Sequence, residues 1–178
     1  MGLPKNSFSQ FGGGELLAKK YNITRDECDN FAVRSHRLAT AAQKTGSFKE
    51  EIHPVPVRKN KGESSGVQDA DEGVCPDTNL TALGKLKTLN EGGVITAGSS
   101  SQISDGAAAM ILCNDCGLKK LGVKPRARIV SLGLAGTDPL IMLEGLTPAS
   151  KQALEKAKLT MADIDKVWIS TRPSPPSR

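Results

Sequence analysis

Aromatic side chains are scarce in this sequence. They make up 3% of its 178 residues, with a single Trp and a single Tyr. A hydrophobic core must therefore rely on Val, Ile and Leu and on close packing of Ala and Gly. This composition argues against an aromatic-rich binding module and favours a layered α/β structure.

Long apolar runs are also missing. No stretch approaches the roughly 18 consecutive apolar residues that span a bilayer, and the N-terminus has no basic region followed by an apolar core. We therefore expect a soluble intracellular protein, in the cytoplasm, or in peroxisomes or mitochondria if its source is eukaryotic. The sequence has four cysteines without a secretory context, so reduced thiols are expected.

Neither sign of charge is concentrated in one region. Lys and Arg number 24 against 19 Asp and Glu, which gives a net charge of +5. A basic helical stripe with interleaved aromatic side chains is missing, which argues against binding of nucleic acid. The mild excess of positive charge suits a polyanionic small molecule, such as a nucleotide-bearing cofactor, equally well.

Apolar spacing and capping signals predict several helices. The clearest runs over about 24–45, because Thr24 and Glu27 form a capping box at its start and Gly46 offers a stop. Residues 1–14 are predicted as loop. Further helices are predicted at 15–21, 80–86, 114–121 and 148–157.

Strand signals become regular in the second half of the chain. Before them, two prolines confine any strand at 52–57 to the edge of a sheet. The polar residues 58–79 are predicted as a long loop, an excursion from the compact fold. Strands that alternate with helices from residue 94 onward are typical of parallel βα units, so the predicted fold class is α/β. The proline-rich tail, 170–178, is expected to be disordered. The predicted strands are 94–97, 107–112, 128–132 and 167–169, with a tight loop at 98–102, and the strand at 107–112 is expected to be buried.

Three consecutive segments carry a family resemblance. The segment TAGSSSQISDGAAAMIL, residues 96–112, resembles the thiolase signature T-A-G-N-x-S-x-x-x-D-G-A-A-A. Residues 16–57, which contain the pattern R-x-E/D-x-D-x-F/Y-A-x-x-S, resemble the thiolase loop domain, and residues 126–165 are similar to the opening of the second thiolase half. The resemblance runs from about residue 10 to residue 166 without a break.

This resemblance implies a partial thiolase fold. It consists of the loop domain, the end of the N-terminal layered α/β domain and the start of the C-terminal one. The corresponding ranges are 1–90, 91–124 and 125–169, followed by a tail outside the family at 170–178. The chain is therefore expected to be an internal fragment of a thiolase.

The resemblance also implies a chemistry. Thiolases form or cleave the carbon–carbon bond of a 3-ketoacyl-CoA through an acyl-cysteine, in fatty-acid and lipid metabolism. A CoA thioester is then the implied substrate, no cofactor is bound tightly, and a second thiolase subunit is the implied protein partner. Ser101 aligns with the serine that contacts the pantetheine arm of CoA, and Ala97 with a small residue lining that channel. Composition alone would also allow a simple serine-rich turn.

Catalytic residues are not found. In the family the nucleophilic cysteine lies N-terminal to the matching region, and the acid–base groups belong to the segments Asn-Glu-Ala-Phe, Gly-His-Pro and Cys-x-Gly. None of these three segments occurs in the sequence. The chain is therefore expected to be inactive alone. The alternative is a non-catalytic module that binds CoA or a thiolase subunit.

The remaining candidate residues have simpler explanations. Cys113 and Cys116 have the spacing of a redox or metal-binding pair, but no second pair of ligands is present, so structural thiols are favoured. His36 and His53 have no paired nucleophile and are predicted to be surface or packing residues. Cys75 stands where many thiolases carry an arginine near the adenine end of CoA. No metal site is predicted.

Overall fold

A computed structural model describes residues 9–58 and 64–167 of the chain. These residues divide into two compact units. The central unit is 18–102, and the terminal unit combines 9–17 with 103–167. Every helix within the described ranges is too short or too polar to cross a membrane.

Helices provide most of the regular structure in the described residues. They are α1 (Gln10–Tyr21), α2 (Arg25–Lys44), α3 (Leu80–Gly84), α4 (Asp115–Leu121) and α5 (Leu146–Ala157). Two strands, β1 (Val55–Arg58) and β2 (Ser64–Gln68), accompany them, with 3-10 turns at Ala97–Ser99, Leu143–Gly145 and Met161–Asp163. All five helices predicted from the sequence are present, although their ends differ from the prediction.

The largest of these differences is at the start of α1. Residues 10–14 were predicted as loop because they contain three consecutive glycines, and this prediction is wrong. The amide of Gly13 donates to the carbonyl of Ser9 at 2.9 Å, and a Cβ at Gly13 would lie only 2.8 Å from the carbonyl oxygen of Ile141. Glycine lowers helix propensity, but here it lets the helix pass directly against the backbone at residue 141. Tertiary packing therefore overrides the local preference.

The predicted capping box of α2 is confirmed. The backbone amide and the hydroxyl of Thr24 both donate to the Glu27 carboxylate, at 2.7 and 2.9 Å. In return the amide of Glu27 donates to the Thr24 hydroxyl at 3.3 Å. The helix ends at Lys44, and Gly46 adopts a left-handed φ of 70° just beyond it. Both ends are thus fixed by local chemistry.

This capping box gives α2 a pH dependence. The hydrogen bonds from Thr24, the backbone one first, hold the pKa of Glu27 below its ordinary value of 4.5. Because the folded pKa lies below the unfolded one, the stabilisation is complete above the unfolded pKa and is lost as the pH falls through the folded pKa. We expect Glu27→Gln, which cannot ionise, to remove this part of the acid sensitivity.

The measurement is the thermal midpoint followed by far-UV circular dichroism from about pH 6 to about pH 3. The wild-type midpoint should fall more steeply with acid than that of Glu27→Gln. Asp26→Asn is the matched control, because Asp26 lies in the same exposed helical turn and no hydrogen bond of its carboxylate is seen in the described residues. Parallel curves for the wild type and Glu27→Gln would contradict the assignment.

The predicted edge strand is confirmed, and it has a partner that the sequence did not reveal. Strand β1 pairs antiparallel with β2, with Val55 opposite Gln68 and Val57 opposite Gly66. The residues of β1 are all exposed, as expected for a pair of edge strands. The second strand falls inside the segment predicted as a polar excursion, because Ser64–Gln68 shows no alternation of apolar and polar residues.

Two apolar runs predicted as strands have no regular secondary structure. These are residues 107–112 and 128–132. The first was also predicted to be buried, yet its Ile111 is 78% exposed. A strand forms only when a neighbouring strand takes up its backbone hydrogen bonds. Within the described ranges the only sheet is the pair of β1 and β2, so neither run has a neighbour.

The strand predicted at 94–97 is replaced by a turn. Thr96 forms an isolated bridge with Thr88, and the chain then enters the 3-10 turn Ala97–Ser99. The tight loop predicted at 98–102 agrees with this geometry. Residues 168–178, which hold most of the strand predicted at 167–169 and the whole predicted tail, lie outside the described residues.

In the terminal unit, the segment 131–134 lies along α5. The Ser131 hydroxyl donates to the carbonyl of Ala153 at 2.5 Å, and the amide of Leu134 donates to the side chain of Gln152 at 2.9 Å. Burial alternates residue by residue through this segment. Side-chain and carbonyl groups of α5 thus take up part of the hydrogen bonding that a neighbouring strand would provide.

Candidate functional site

The two residues predicted to contact CoA lie in the central unit. Ala97 opens the 3-10 turn Ala97–Ser99, and Ser101 follows it in a segment without regular structure. Both residues are exposed. Their predicted roles require access to a ligand, and their exposure provides it.

One buried residue holds this turn in shape. Thr96 is fully buried, with 0% of its surface exposed. Its hydroxyl accepts the amide of Gly98 at 3.2 Å, and its own amide donates to the Ser99 hydroxyl at 3.0 Å. Its carbonyl accepts the Ser100 hydroxyl at 2.7 Å. The hydrogen bonds of the buried Thr96 therefore hold residues 97–100 in a compact turn.

The turn packs closely against the end of α3. A Cβ at Gly98 would overlap the Leu83 side chain and lie 2.8 Å from Cδ1 of Leu86. Leu83 is itself 6% exposed and belongs, with Ala32 of α2, to the small core of the central unit. The turn is therefore seated on a packed surface, with glycine at the point of closest approach.

Arg25 links α2 to the same end of α3. Its Nε lies 2.8 Å from Oδ2 of Asp29, one helical turn further along α2. Its Nη2 donates to the carbonyl oxygens of Leu83 and Leu86, at 2.7 and 3.3 Å. In the sequence, Arg25 and Asp29 are distinguished only as members of the thiolase loop-domain pattern. The contacts of Arg25 with Leu83 and Leu86 join residues 58 and 61 positions apart, and nothing in the local sequence signals them.

The segment 73–75 of the central unit is hydrogen-bonded to α2 and to Gln102, the residue after Ser101. The amide of Cys75 donates to Nδ1 of His36 at 3.2 Å. The side chain of Gln102 donates to the carbonyl of Gly73 at 3.3 Å. His36 is thus a packing residue, as predicted. Nothing in the sequence signals its contact with Cys75, which lies 39 residues away.

In the described residues the cysteines form no disulfide bond and belong to no cluster of metal-binding side chains. Cys113 and Cys116 are exposed on either side of Asn114, the residue that caps α4. No group of three or more His, Cys, Asp or Glu side chains suited to hold a metal ion occurs in the described ranges. His53 is exposed beside Pro54.

A comparison with protein families decides the relationship of the chain. Residues 10–115, more than half of the chain, match the family model of the thiolase N-terminal domain. The chain belongs to the thiolase family. The matched thiolase segment includes Ala97, Ser101 and the contacts that hold their turn.

Individual thiolases are similar over most of the chain. An acetyl-CoA acetyltransferase of Allochromatium vinosum is 42% identical over 163 residues, which cover 91% of this chain and 41% of that protein. A 3-ketoacyl-CoA thiolase of Marinobacter nauticus is 43% identical over 153 residues, covering 85% and 39%. The chain thus spans about two fifths of the length of these thiolases.

Solved thiolase structures show the same fold. Human mitochondrial 3-ketoacyl-CoA thiolase is 39% identical, with a TM-score of 0.80 over 86% of this chain and 39% of that one. The acetyl-CoA acetyltransferase of Bacillus anthracis is 36% identical, with a TM-score of 0.81 over 87% and 39%. The predicted partial thiolase α/β fold is confirmed. The domain boundaries after residues 90 and 124 stay predictions, as do the roles of Ala97 and Ser101.

Proposed function

We propose that this thiolase chain binds the CoA part of an acyl-CoA thioester and does not catalyse acyl transfer by itself. The proposed site is residues 97–101, called the 97–101 turn below, which comprise the 3-10 turn Ala97–Ser99 and the two serines after it. One observation carries the proposal. The buried Thr96 is hydrogen-bonded to Gly98, Ser99 and Ser100, the three residues between the exposed Ala97 and Ser101, within the thiolase signature. A ligand site formed in advance loses less entropy on binding than a flexible one.

The chemistry of the two exposed side chains suits a pantetheine arm. The Ser101 hydroxyl can both donate and accept a hydrogen bond, as an amide of the arm requires. The methyl group of Ala97 leaves room for a narrow chain to pass. The adenine end of CoA would lack the arginine that many thiolases carry at the position of Cys75, so the pantetheine contacts would supply a larger share of the affinity.

Inactivity follows from what acyl transfer through cysteine requires. The thiolate must be generated by a nearby base, and the oxyanion must be stabilised. The one close pair of Cys and His seen in the central unit is Cys75 and His36, but the backbone amide of Cys75 faces the imidazole. Its thiol points to the carbonyl of Gly73, at 3.9 Å. In this arrangement the imidazole accepts a backbone amide proton and not the proton of the thiol.

The test combines two measurements on the purified chain. Thiolysis of acetoacetyl-CoA should show no turnover, while the intact A. vinosum acetyl-CoA acetyltransferase serves as the active control. Calorimetry should show saturable binding of CoA that Ser101→Ala weakens about fivefold, the value of one hydrogen bond. Ser104→Ala, which removes an exposed hydroxyl three residues further on, should leave it unchanged.

Either result can overturn its part of the proposal. A measurable rate, or an acyl adduct on one of the four thiols, would contradict inactivity. Absence of binding heat with CoA would contradict the CoA site. A chain that binds no CoA but elutes together with an intact thiolase subunit would favour the second candidate.

That second candidate is an interaction module for a thiolase subunit. Exposed apolar side chains in the terminal unit favour it, since Ile111, Leu132 and Leu134 are 78%, 73% and 86% exposed. Where such exposed apolar side chains form a contiguous patch, the patch commonly marks a protein contact. The two candidates differ in the unit that they use, so binding of CoA and binding of a subunit can be measured separately.

A further inference from the structure

We infer that Arg25 and Asp29 are positioning residues for CoA binding, because they fix the end of α3 on which the 97–101 turn is seated. This inference rests on the proposed CoA site. Neither residue lies in that turn. Their effect on the ligand would be transmitted through α3.

The Arg25 guanidinium has the geometry of a rigid connector. It donates to Oδ2 of Asp29 at 2.8 Å and to the carbonyls of Leu83 and Leu86 at 2.7 and 3.3 Å. The carbonyl of Leu83 lies in the last turn of α3, where a cation is favoured, and Leu86 lies just beyond that helix. A planar group with several fixed N–H bonds can hold α2 and the end of α3 at one spacing.

Burial makes the pair act as a unit. Asp29 is only 4% exposed, and its second oxygen, Oδ1, is enclosed without a hydrogen-bond donor in the described residues. Removal of the guanidinium would leave this buried carboxylate without its counter-charge, which is strongly unfavourable. The region would then rearrange, and α3 would lose its hydrogen bonds to α2.

The same two leucines connect Arg25 to the turn. The carbonyls of Leu83 and Leu86 accept its hydrogen bonds, while their side chains occupy the space next to Gly98. A shift of α3 must therefore move the turn or open a gap beneath it. Because displacement of a ligand-contacting group by about 1 Å can greatly weaken its function, the spacing set by Arg25 should determine how well Ser101 meets a ligand.

The test compares Arg25→Gln and Arg25→Lys with the wild-type chain. Arg34→Gln is the matched control, because Arg34 is exposed and lies nine residues along α2, on the opposite face of the helix. Calorimetry measures the affinity for CoA. Hydrogen exchange compares the amides of Gly98 and Ser99, which both bond to Thr96, with those of residues 37–44 in the last two turns of α2.

Both Arg25 variants should bind CoA about tenfold more weakly, since hydrogen bonds to charged groups are at stake. Exchange at Gly98 and Ser99 should become faster, while residues 37–44 and the Arg34→Gln control stay unchanged. Lysine should not rescue, because a single ammonium group cannot reproduce the fixed fork of donors.

Several results would overturn the inference. Unchanged exchange at Gly98 and Ser99 in the variants would do so, as would full recovery with lysine. Equal acceleration at residues 37–44 would indicate a role in overall stability only. If the wild type binds no CoA, the CoA site fails, yet the exchange data still decide whether Arg25 fixes the turn. If Arg25→Gln does not fold, the same exchange and affinity measurements on Arg25→Lys decide whether Arg25 fixes the turn.

Discussion

Replacement of Gly133 by Ala is expected to destabilise the terminal unit by about 3 kcal/mol, the upper part of the usual range for overpacking. A Cβ at this position would overlap the carbonyl oxygen of Ala149 in α5 and lie 2.8 Å from its carbonyl carbon. These are backbone atoms of a helix, so no side-chain rotation can relieve the overlap. The segment 131–134 would have to move away from α5 and lose its hydrogen bonds there.

Gly136→Ala is the control for this substitution. It lies three residues further along the same segment, and a Cβ there would meet nothing within 4 Å. The measurement is the free energy of unfolding from urea titration, together with hydrogen exchange of the α5 amides. Equal stability of the two variants would show that the segment does not pack on α5 in solution.

Gly98→Ala is expected to destabilise the central unit by about 2 kcal/mol and to weaken CoA binding more than tenfold. The new methyl group would meet leucine side chains instead of backbone, so part of the overlap can be relieved. Leu86 is 37% exposed and can move, but Leu83 is 6% exposed and cannot. The turn must therefore rise from α3, which displaces Ala97 and Ser101.

Gly84→Ala provides the matched control on α3 itself. A Cβ there meets nothing within 4 Å, and alanine favours a helix over glycine, so stability should be equal or higher. Thermal unfolding and CoA calorimetry on both variants are the measurements. If a folded Gly98→Ala variant binds CoA with wild-type affinity, the turn is not part of the CoA site.

Helices were predictable because their signals are local. Thr24 and Glu27 lie three residues apart and contact each other in the structure as their spacing indicates. Asn114 likewise caps α4, through a hydrogen bond to the amide of Gly117 at 2.9 Å. A capping side chain and its helix belong to the same stretch of sequence, so no distant residue is needed to form the contact.

Strands were predicted less well because their hydrogen bonds are made elsewhere. The run at 107–112 has suitable side chains, but the described residues provide no neighbour for it, and it stays exposed. Strand β2 has unsuitable side chains, yet β1 pairs with it. Gly13 at the start of α1 shows the same limit, since it passes close to the backbone of residue 141, which is distant in sequence.

The sequence by itself determined the presence of the five helices, the capping box of Thr24 and Glu27, the thiolase relationship and the choice of Ala97 and Ser101, since each depends on the order and spacing of nearby residues. The tertiary structure alone decided which apolar runs pair, how close Gly98 lies to α3, and that Arg25 joins α2 to the carbonyls of Leu83 and Leu86. The physical reason is that hydrogen bonds and van der Waals contacts act over a few ångströms in space. Residues about 60 positions apart can satisfy that requirement only after the chain has folded.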